Sequence, residues 1–327
     1  MSKNDVLLEV KGLKKYYTVA SGFRSSSRKS LRAVDGVSLT LHEGETFGLV
    51  GESGCGKSTL GRTILKLDTV TEGEIIYKGE HIENYSLRKM RPLRKEMQIV
   101  FQDPYAALSP RMTIFESVKA PLDVQGGMTE KEKAARVLET LNYVGVSEHQ
   151  FYKYPHELSG GQRQRVVIAR AMITNPNFII CDEPVSALDV SVRSQVLNLM
   201  KRVQKDTGVA YLFISHDLSV VKYLCNTIAV MYLGVIVESG SKKELFENPK
   251  HPYTQALLSA IPVPDIHNKK VTAILQGDVP NPVSPPSGCR FHTRCPFAME
   301  RCKEITPELI AINDMHRVAC HMADCVL

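Results

Sequence analysis

The run Gly51-Glu52-Ser53-Gly54-Cys55-Gly56-Lys57-Ser58, with Thr59 after it, constrains this chain more than any other segment. Its glycines let the backbone curl until successive N–H groups converge on one centre, an arrangement that suits a phosphate. Before the loop, Glu45-Thr46-Phe47-Gly48-Leu49-Val50 is a short apolar run of β character. After it, Lys57 to Leu67 carries helical spacing through Leu60, Ile64 and Leu67. Strand, glycine loop and helix in that order place the phosphate-loop pattern in the context it requires. Lys57 then supplies a point charge at the β- and γ-phosphates, and the Ser58 hydroxyl can ligate Mg²⁺. A glycine-rich turn with no ligand is the competing reading, and the flanking elements weigh against it.

Phe178-Ile179-Ile180-Cys181 is a near-continuous apolar run, as expected of a parallel strand covered on both faces. It delivers Asp182 and Glu183 to its carboxyl end. An acidic pair at a strand end is ordinarily a solvated turn. Downstream of a phosphate loop it reads as a metal-and-base pair, Asp182 holding the metal through water and Glu183 polarising an attacking water. Tyr211-Leu212-Phe213-Ile214 is a second such strand, and a helix with Val192, Val196 and Leu199 on one side separates the two. This alternation predicts an α/β sheet. Ile99-Val100-Phe101 is another short strand, ended by Asp103-Pro104. From about Asp103 to Gln164 helical signals dominate, including a helix from Thr129 to Gly145 opened by a Thr129–Glu132 capping box. The longest apolar stretch, Thr227 to Val237, reads as a buried strand pair broken at Gly234, and no run reaches the ~18 residues of a membrane span.

A chain of 327 residues suits two or three compact units. Its net charge of +6 is mildly basic, without a dense Lys/Arg stripe interleaved with aromatics, so no nucleic-acid partner is expected. Met1-Ser2-Lys3-Asn4-Asp5 lacks the apolar stretch of a secretory signal, which predicts the cytosol. Arg24, Arg28, Lys29 and Arg32 lie in or beside a Ser-rich stretch, Ser21 to Ser30, that reads as an exposed loop. The tail changes character near Gly240 and Ser241. Pro262, Pro264, Pro280, Pro282, Pro285 and Pro286 extend the chain ahead of a cysteine cluster. Of the 8 cysteines, Cys55, Cys181 and Cys225 are scattered, whereas Cys289, Cys295, Cys302, Cys320 and Cys325 crowd the end. The first four of that cluster are separated by five, six and seventeen residues, neither the paired spacing of a zinc ribbon nor the tight run of a bacterial ferredoxin. Spacing alone leaves a metal site, surplus thiols and a disulfide open, and cytosolic residence disfavours the last.

Leu158-Ser159-Gly160-Gly161-Gln162, just upstream of the acidic strand, resembles the signature sequence of ABC ATPases. By itself, Ser-Gly-Gly at the head of a helix running Arg163 to Met172 is a second anion-binding terminus, a puzzle in one monomer. The resemblance implies that two such domains pair head to tail, each signature closing over the other's ATP. It implies further roles for matched positions. Gln102 resembles the glutamine that senses metal or water and links to the transport partner. Asp189, in Ser186-Ala187-Leu188-Asp189, looks like the aspartate that crosses the dimer interface. His216, in Ile214-Ser215-His216-Asp217, resembles the histidine that contacts the γ-phosphate. Tyr17 is similar to the aromatic that stacks on adenine, with Tyr16 as the alternative. The implied catalytic set is Glu183, His216, Lys57 and Gln102. ATP is then contacted by these four and by Tyr17, Gly51, Ser53, Gly54, Cys55, Gly56, Ser58, Thr59, Ser159, Gly160, Gly161, Gln162, Asp182 and Asp189, with Mg²⁺ at Ser58, Gln102 and Asp182.

A narrower resemblance covers nearly the whole chain. Phe101-Gln102-Asp103-Pro104-Tyr105, Asp182 to Val192, and His251-Pro252-Tyr253-Thr254-Gln255-Ala256-Leu257-Leu258 look like the ATPases of bacterial dipeptide and oligopeptide permeases, and Gly51 to Arg62 looks like the second of their two ATPase subunits. The implied fold is α/β: a P-loop NTPase core of ABC type with a mixed sheet (residues 1–102 and 165–241, including an N-terminal antiparallel part), a helical signature subdomain (103–164) and a small Cys-rich C-terminal extension (242–327). The implied partners are a paralogous ATPase subunit, two membrane permeases and an extracytoplasmic peptide-binding protein, with this chain peripheral on the cytoplasmic face of the inner membrane. The tail's resemblance also implies a [4Fe–4S] cluster on Cys289, Cys295, Cys302 and Cys320, with Cys325 spare; zinc with His292, His316 or His321 is the alternative. Nickel-uptake relatives share much of the pattern. Soluble ABC proteins of translation or DNA repair are a further alternative, against which stand single copies of each motif and the lack of a long heptad run.

Overall fold

The apolar runs that alternate with amphipathic ones fold into strands and helices in nearly the order their periodicities predict. The structure is a computed structural model describing residues 5–19, 29–261 and 277–323. Arg24, Arg28, Pro262, Pro264 and Cys325 lie outside the described residues. Strands β1 (Val6–Val19), β2 (Lys29–His42) and β3 (Thr46–Val50) precede helix α1 (Lys57–Ile64), β4 (Glu72–Tyr77) and β5 (Glu80–His81). Next come α2 (Leu87–Met90), β6 (Met97–Val100), α3 (Pro104–Ala107), α4 (Ile114–Gln125) and α5 (Glu130–Tyr143). They are followed by α6 (Gly160–Met172), β7 (Phe178–Asp182), α7 (Val190–Thr207) and β8 (Ala210–Ser215). The chain closes with α8 (Leu218–Leu224), β9 (Thr227–Tyr232), β10 (Val235–Ser241), α9 (Lys242–Glu247), α10 (Pro252–Ser259), α11 (Glu300–Glu304), β11 (Ile310–Asn313) and β12 (His316–Val318).

These elements group into two compact units. One comprises Asp5, His42–Glu45 and Tyr85–Phe213; the other comprises Val6–Leu41, Thr46–Asn84 and the chain from Ile214 onward. In the first, β6 and β7 run parallel with Met97 opposite Phe178 and Val100 opposite Cys181, and β8 lies beyond β7. Every residue of β7 is buried, as an apolar run without alternation demands. The helical stretch starts α4 and α5 with capping boxes, Thr113 with Glu116 and Thr129 with Glu132, because each satisfies two otherwise orphaned amides. Helix α7 ends at Gly208, whose φ of 71° only a residue without a Cβ adopts cheaply.

In the second unit, β3 pairs parallel with β9, from Phe47 opposite Thr227 to Val50 opposite Val230. A tight turn through Leu233 and Gly234, at φ 42° and 86°, returns the chain as antiparallel β10. The run from Thr227 to Val237 is therefore a hairpin that turns at Gly234. On its other edge β10 receives the end of the chain: Glu238 lies opposite Val318 and Gly240 opposite His316, and β11 completes the order β11-β12-β10-β9-β3. A fully buried carboxylate fixes this return. Glu238 accepts hydrogen bonds from His316 Nε2 at 2.7 Å and from the backbone N–H groups of Lys250 and His251 at 2.6 and 3.0 Å. A separate sheet in the order β2-β1-β4-β5 has β4 antiparallel to both β1 and β5. Among the described residues no helix is long and apolar enough to cross a membrane.

Candidate nucleotide-binding and catalytic site

The phosphate loop leaves the wholly buried β3 and enters α1 through a backbone that glycine alone permits. Gly51 has φ 155°, and a Cβ there would lie 2.1 Å from the Met231 carbonyl oxygen. Gly56 has φ 108°, and its Cβ would meet the Ala33 carbonyl oxygen at 2.0 Å. The loop is thus threaded tightly past β9 and β2. Gly56 is also the N-cap of α1 and offers no side chain to the first-turn amides, which leaves the positive end of the helix to a ligand. Lys57 is buried, its Nζ donating to the carbonyls of Gly51 at 2.8 Å and Glu52 at 2.9 Å. Ser53 and Gly54 are exposed at the tip, whereas Ser58 and Thr59 are half-buried. Cys55 is buried with Sγ 3.8 Å from Lys57 Nζ, and burial pushes its thiol pKa up despite the nearby ammonium.

Alternation along β1 sends the two candidate adenine aromatics to different partners. The Tyr17 hydroxyl hydrogen-bonds Asp68 at 3.2 Å and is also within reach of the Thr59 hydroxyl, directly after the phosphate loop. Tyr16 donates instead to Asp35, and burial with that contact raises its phenol to about 12.

In the first unit β7 delivers Asp182 and Glu183, both buried. Glu183 holds φ at 47°, a left-handed conformation sparsely populated for a residue with a side chain and often found where function requires it. The Ser186 N–H and hydroxyl donate to the Glu183 carbonyl at 3.3 and 3.0 Å and fasten this turn. Gln102, just beyond β6, donates from Nε2 to Glu183 Oε2 at 3.0 Å, which brings together two of the residues predicted to be catalytic. Ser159 and Gln162 form a capping box at the start of α6, with Ser159 exposed. Gly161 has a packing reason: its Cβ would lie 2.3 Å from Val192 of α7. Asp189 is exposed at the head of α7, and His216 is exposed directly after β8.

Glu52 is held by Tyr253 and Arg294, 201 and 242 residues away, and no local spacing signals such a pairing.

The four tail cysteines are neighbours. Burial, opposed by a backbone hydrogen bond and aided by the neighbouring thiols, raises Cys289 to about 11; burial likewise raises Cys295 and Cys320. The Cys289 N–H also donates to the Cys302 carbonyl at 2.8 Å. Four soft thiols are a donor set that suits iron–sulfur or zinc. Yet among the described residues no three His, Cys, Asp or Glu side chains are grouped so as to hold a metal ion. The alternative imidazoles are engaged elsewhere: His292 Nδ1 with the Cys289 carbonyl, His316 with Glu238, and His321 Nε2 with the Ile305 carbonyl.

The ABC transporter family model matches residues 34–186, and the model for the oligopeptide/dipeptide transporter C-terminal region matches residues 237–302. The oligopeptide transport ATP-binding protein AppF of Bacillus subtilis (strain 168) is 49% identical over 324 residues, 98% of this chain and 98% of that protein. Among solved structures, the ADP- and phosphate-bound dimer of the ATP-binding cassette MJ0796 superposes with a TM-score of 0.65 at 30% identity, covering 72% of this chain and 99% of the cassette. CbiO1 from Clostridium perfringens, part of the ABC transporter complex cbiONQ, gives 0.64 at 30% identity, covering 75% and 92%.

Proposed function

This chain belongs to the ATP-binding subunits of oligopeptide ABC transporters, and we propose that it drives di- and oligopeptide import by binding and hydrolysing ATP with the residues described above. The amides of Gly54 to Ser58 and the Lys57 ammonium take the β- and γ-phosphates, and Tyr17 stacks on adenine. Ser58, Gln102 and Asp182 would hold Mg²⁺; a hydroxyl, an amide and a carboxylate are the hard oxygen donors that ion takes. The ion, when bound, neutralises charge on the phosphates. Glu183 polarises the attacking water, and His216 contacts the γ-phosphate. The observation that carries this reading is the 3.0 Å hydrogen bond from Gln102 to Glu183, because it holds the carboxylate directly after a wholly buried strand.

Exposed Ser159 at the head of α6 and exposed Asp189 suit a composite site, in which this chain's signature closes over the ATP of a second, paralogous subunit. The other partners are two membrane permeases and a peptide-binding protein outside the cell, which place this chain on the cytoplasmic face. The Cys-rich extension would hold a [4Fe–4S] cluster on Cys289, Cys295, Cys302 and Cys320, four soft thiols of which Cys289 and Cys302 are joined through the Cys289 N–H and the Cys302 carbonyl at 2.8 Å. Its role is to staple the tail, since no other redox chemistry is present among the proposed functional residues.

Purification with the permeases tests the motor role. ATP hydrolysis by the complex should rise when peptide-loaded binding protein is added, and no rise would sink the peptide assignment. Anaerobically purified protein should be brown, with absorbance near ~400 nm and about four irons per chain. A colourless, zinc-loaded protein would remove the cluster.

A further inference from the structure

Between Gly51 and Thr59, Glu52 is the position that nucleotide binding leaves without a role, yet three of its groups are engaged. Its N–H donates to the Tyr253 hydroxyl at 2.9 Å. Its carboxylate takes the Arg294 guanidinium with both oxygens, Nη1 to Oε2 at 2.7 Å and Nη2 to Oε1 at 3.1 Å. Its carbonyl accepts from Lys57 Nζ at 2.9 Å, so the residue gripped from the C-terminal region also holds the phosphate-binding lysine.

Both grips are built for position. His251 caps α10 through Nδ1, which accepts the Tyr253 N–H at 3.1 Å, and Pro252 fills the first helical turn, so Tyr253 is fixed and fully buried. Arg294 stands in a turn anchored by buried Phe291, whose ring meets Tyr232 edge-on at 5.3 Å and Tyr253 at 5.4 Å. The Arg294 N–H donates to the Phe291 carbonyl at 3.0 Å, and its side chain is only 6% exposed. A buried guanidinium in a two-pronged pair is strong and directional, and removing either partner strands the other's charge. The same turn reaches the loop a second time. Arg290 donates to the Leu233 carbonyl, and the N–H of Gly234 beside it donates to the Cys55 carbonyl at 2.8 Å.

We propose that Arg294 and Tyr253 are positioning residues for the phosphate loop: through Glu52 they hold the loop, and with it Lys57, in the shape that receives the phosphates. The His-Pro-Tyr motif and the turn between the first two tail cysteines then serve ATP affinity as well as fold. This rests on Gly51 to Thr59 being the ATP site.

The test is titration of the full-length chain with a fluorescent ATP analogue, together with steady-state hydrolysis, for Arg294→Gln, Glu52→Gln and the double variant. Each single change should weaken ATP binding about tenfold and raise KM in parallel, with kcat within about twofold, and the double should be no worse than the poorer single because all three break one pair. Arg294→Lys should recover only part of the loss, since it keeps the charge and loses the fork. Tyr253→Phe removes a single oxygen and should weaken binding about threefold even if the charge variants fold poorly. Lower melting temperature with unchanged ATP affinity would overturn the proposal, as would a double variant whose loss is the product of the two singles. Lys57→Ala in the same titration separates the two readings: if it binds ATP like the parent chain, the ATP-site assignment itself fails.

Discussion

Gln102 Nε2 lies 3.0 Å from Glu183 Oε2, and the Glu183 backbone, its carbonyl held by Ser186, sits in the left-handed region at φ 47°. The strand tip and the chain beyond β6 thereby hold the carboxylate in place. Glu183→Gln keeps the shape and removes the base. Phosphate release should fall about 10²- to 10³-fold while ATP binding persists, and the ATP-bound protein should elute as a dimer. Unchanged turnover would take Glu183 out of the catalytic role.

The glycines of the phosphate loop differ in what they tolerate. At Gly51 and Gly56 a Cβ would meet carbonyl oxygens at 2.1 and 2.0 Å, whereas Gly54, at φ 77°, has nothing within 4 Å. Gly54→Ala should therefore cost only the strain of its backbone, about 1 kcal/mol, with modest loss of ATP affinity. Gly51→Ala and Gly56→Ala must displace the loop and should abolish nucleotide binding. Calorimetric melts beside ATP titrations check this order, and equal effects at all three positions would refute it.

Cys55 lies against the phosphates in sequence, which suggests an easy target for thiol reagents. The fold makes it a poor one, because it is buried and burial raises its pKa. The reactive thiolate is thus scarce at pH 7. Labelling by a bulky maleimide in the native protein should be slow, should accelerate as pH rises from 7 to 9, and should slow further with ATP present. Rapid labelling at pH 7 would contradict this placement.

His251 titrates against the fold. Burial outweighs the attraction of Glu238 and lowers its pKa from 6.5 to about 4. Above pH 6.5 the folded and unfolded chains both leave it neutral, so it has no effect on the pH dependence of stability. Between pH 6.5 and 4 only the unfolded chain takes up the proton, and stability falls by up to roughly 3 kcal/mol. Protonation would also remove the Nδ1 acceptor that caps α10. His251→Asn retains a capping acceptor that does not titrate. Its urea stability should decline less than the parent's from pH 6.5 to 4, and parallel curves would disprove the assignment.

Local features of the fold were legible in the sequence. The strand, glycine loop and helix around Lys57 are encoded within twenty residues, and the Thr129–Glu132 box closes within one helical turn. The relation of Tyr16 to Tyr17 was not legible, because both fit a loose aromatic spacing. Strand alternation separates them, giving one to Asp35 and the other to Asp68. The change of composition near Gly240 gave no sign that the chain's end returns to this point, where β12 pairs with β10 just before β10 ends at Ser241. Gly161 also has a packing reason that no local pattern shows, since α7 brings Val192 within 2.3 Å of where its Cβ would stand.

The sequence by itself determined the parts that short range dictates: which runs are strands, where amides gather for a phosphate, and which acids end a buried strand. Hydrophobic period, glycine freedom and capping act over a few residues and need no tertiary partner. Only the tertiary structure decided that Glu52 is held by Tyr253 and Arg294, and that Glu238 is buried against His316. Those pairs join residues 78 to 242 positions apart, and their stability comes from desolvated geometry that exists only after the strands have paired.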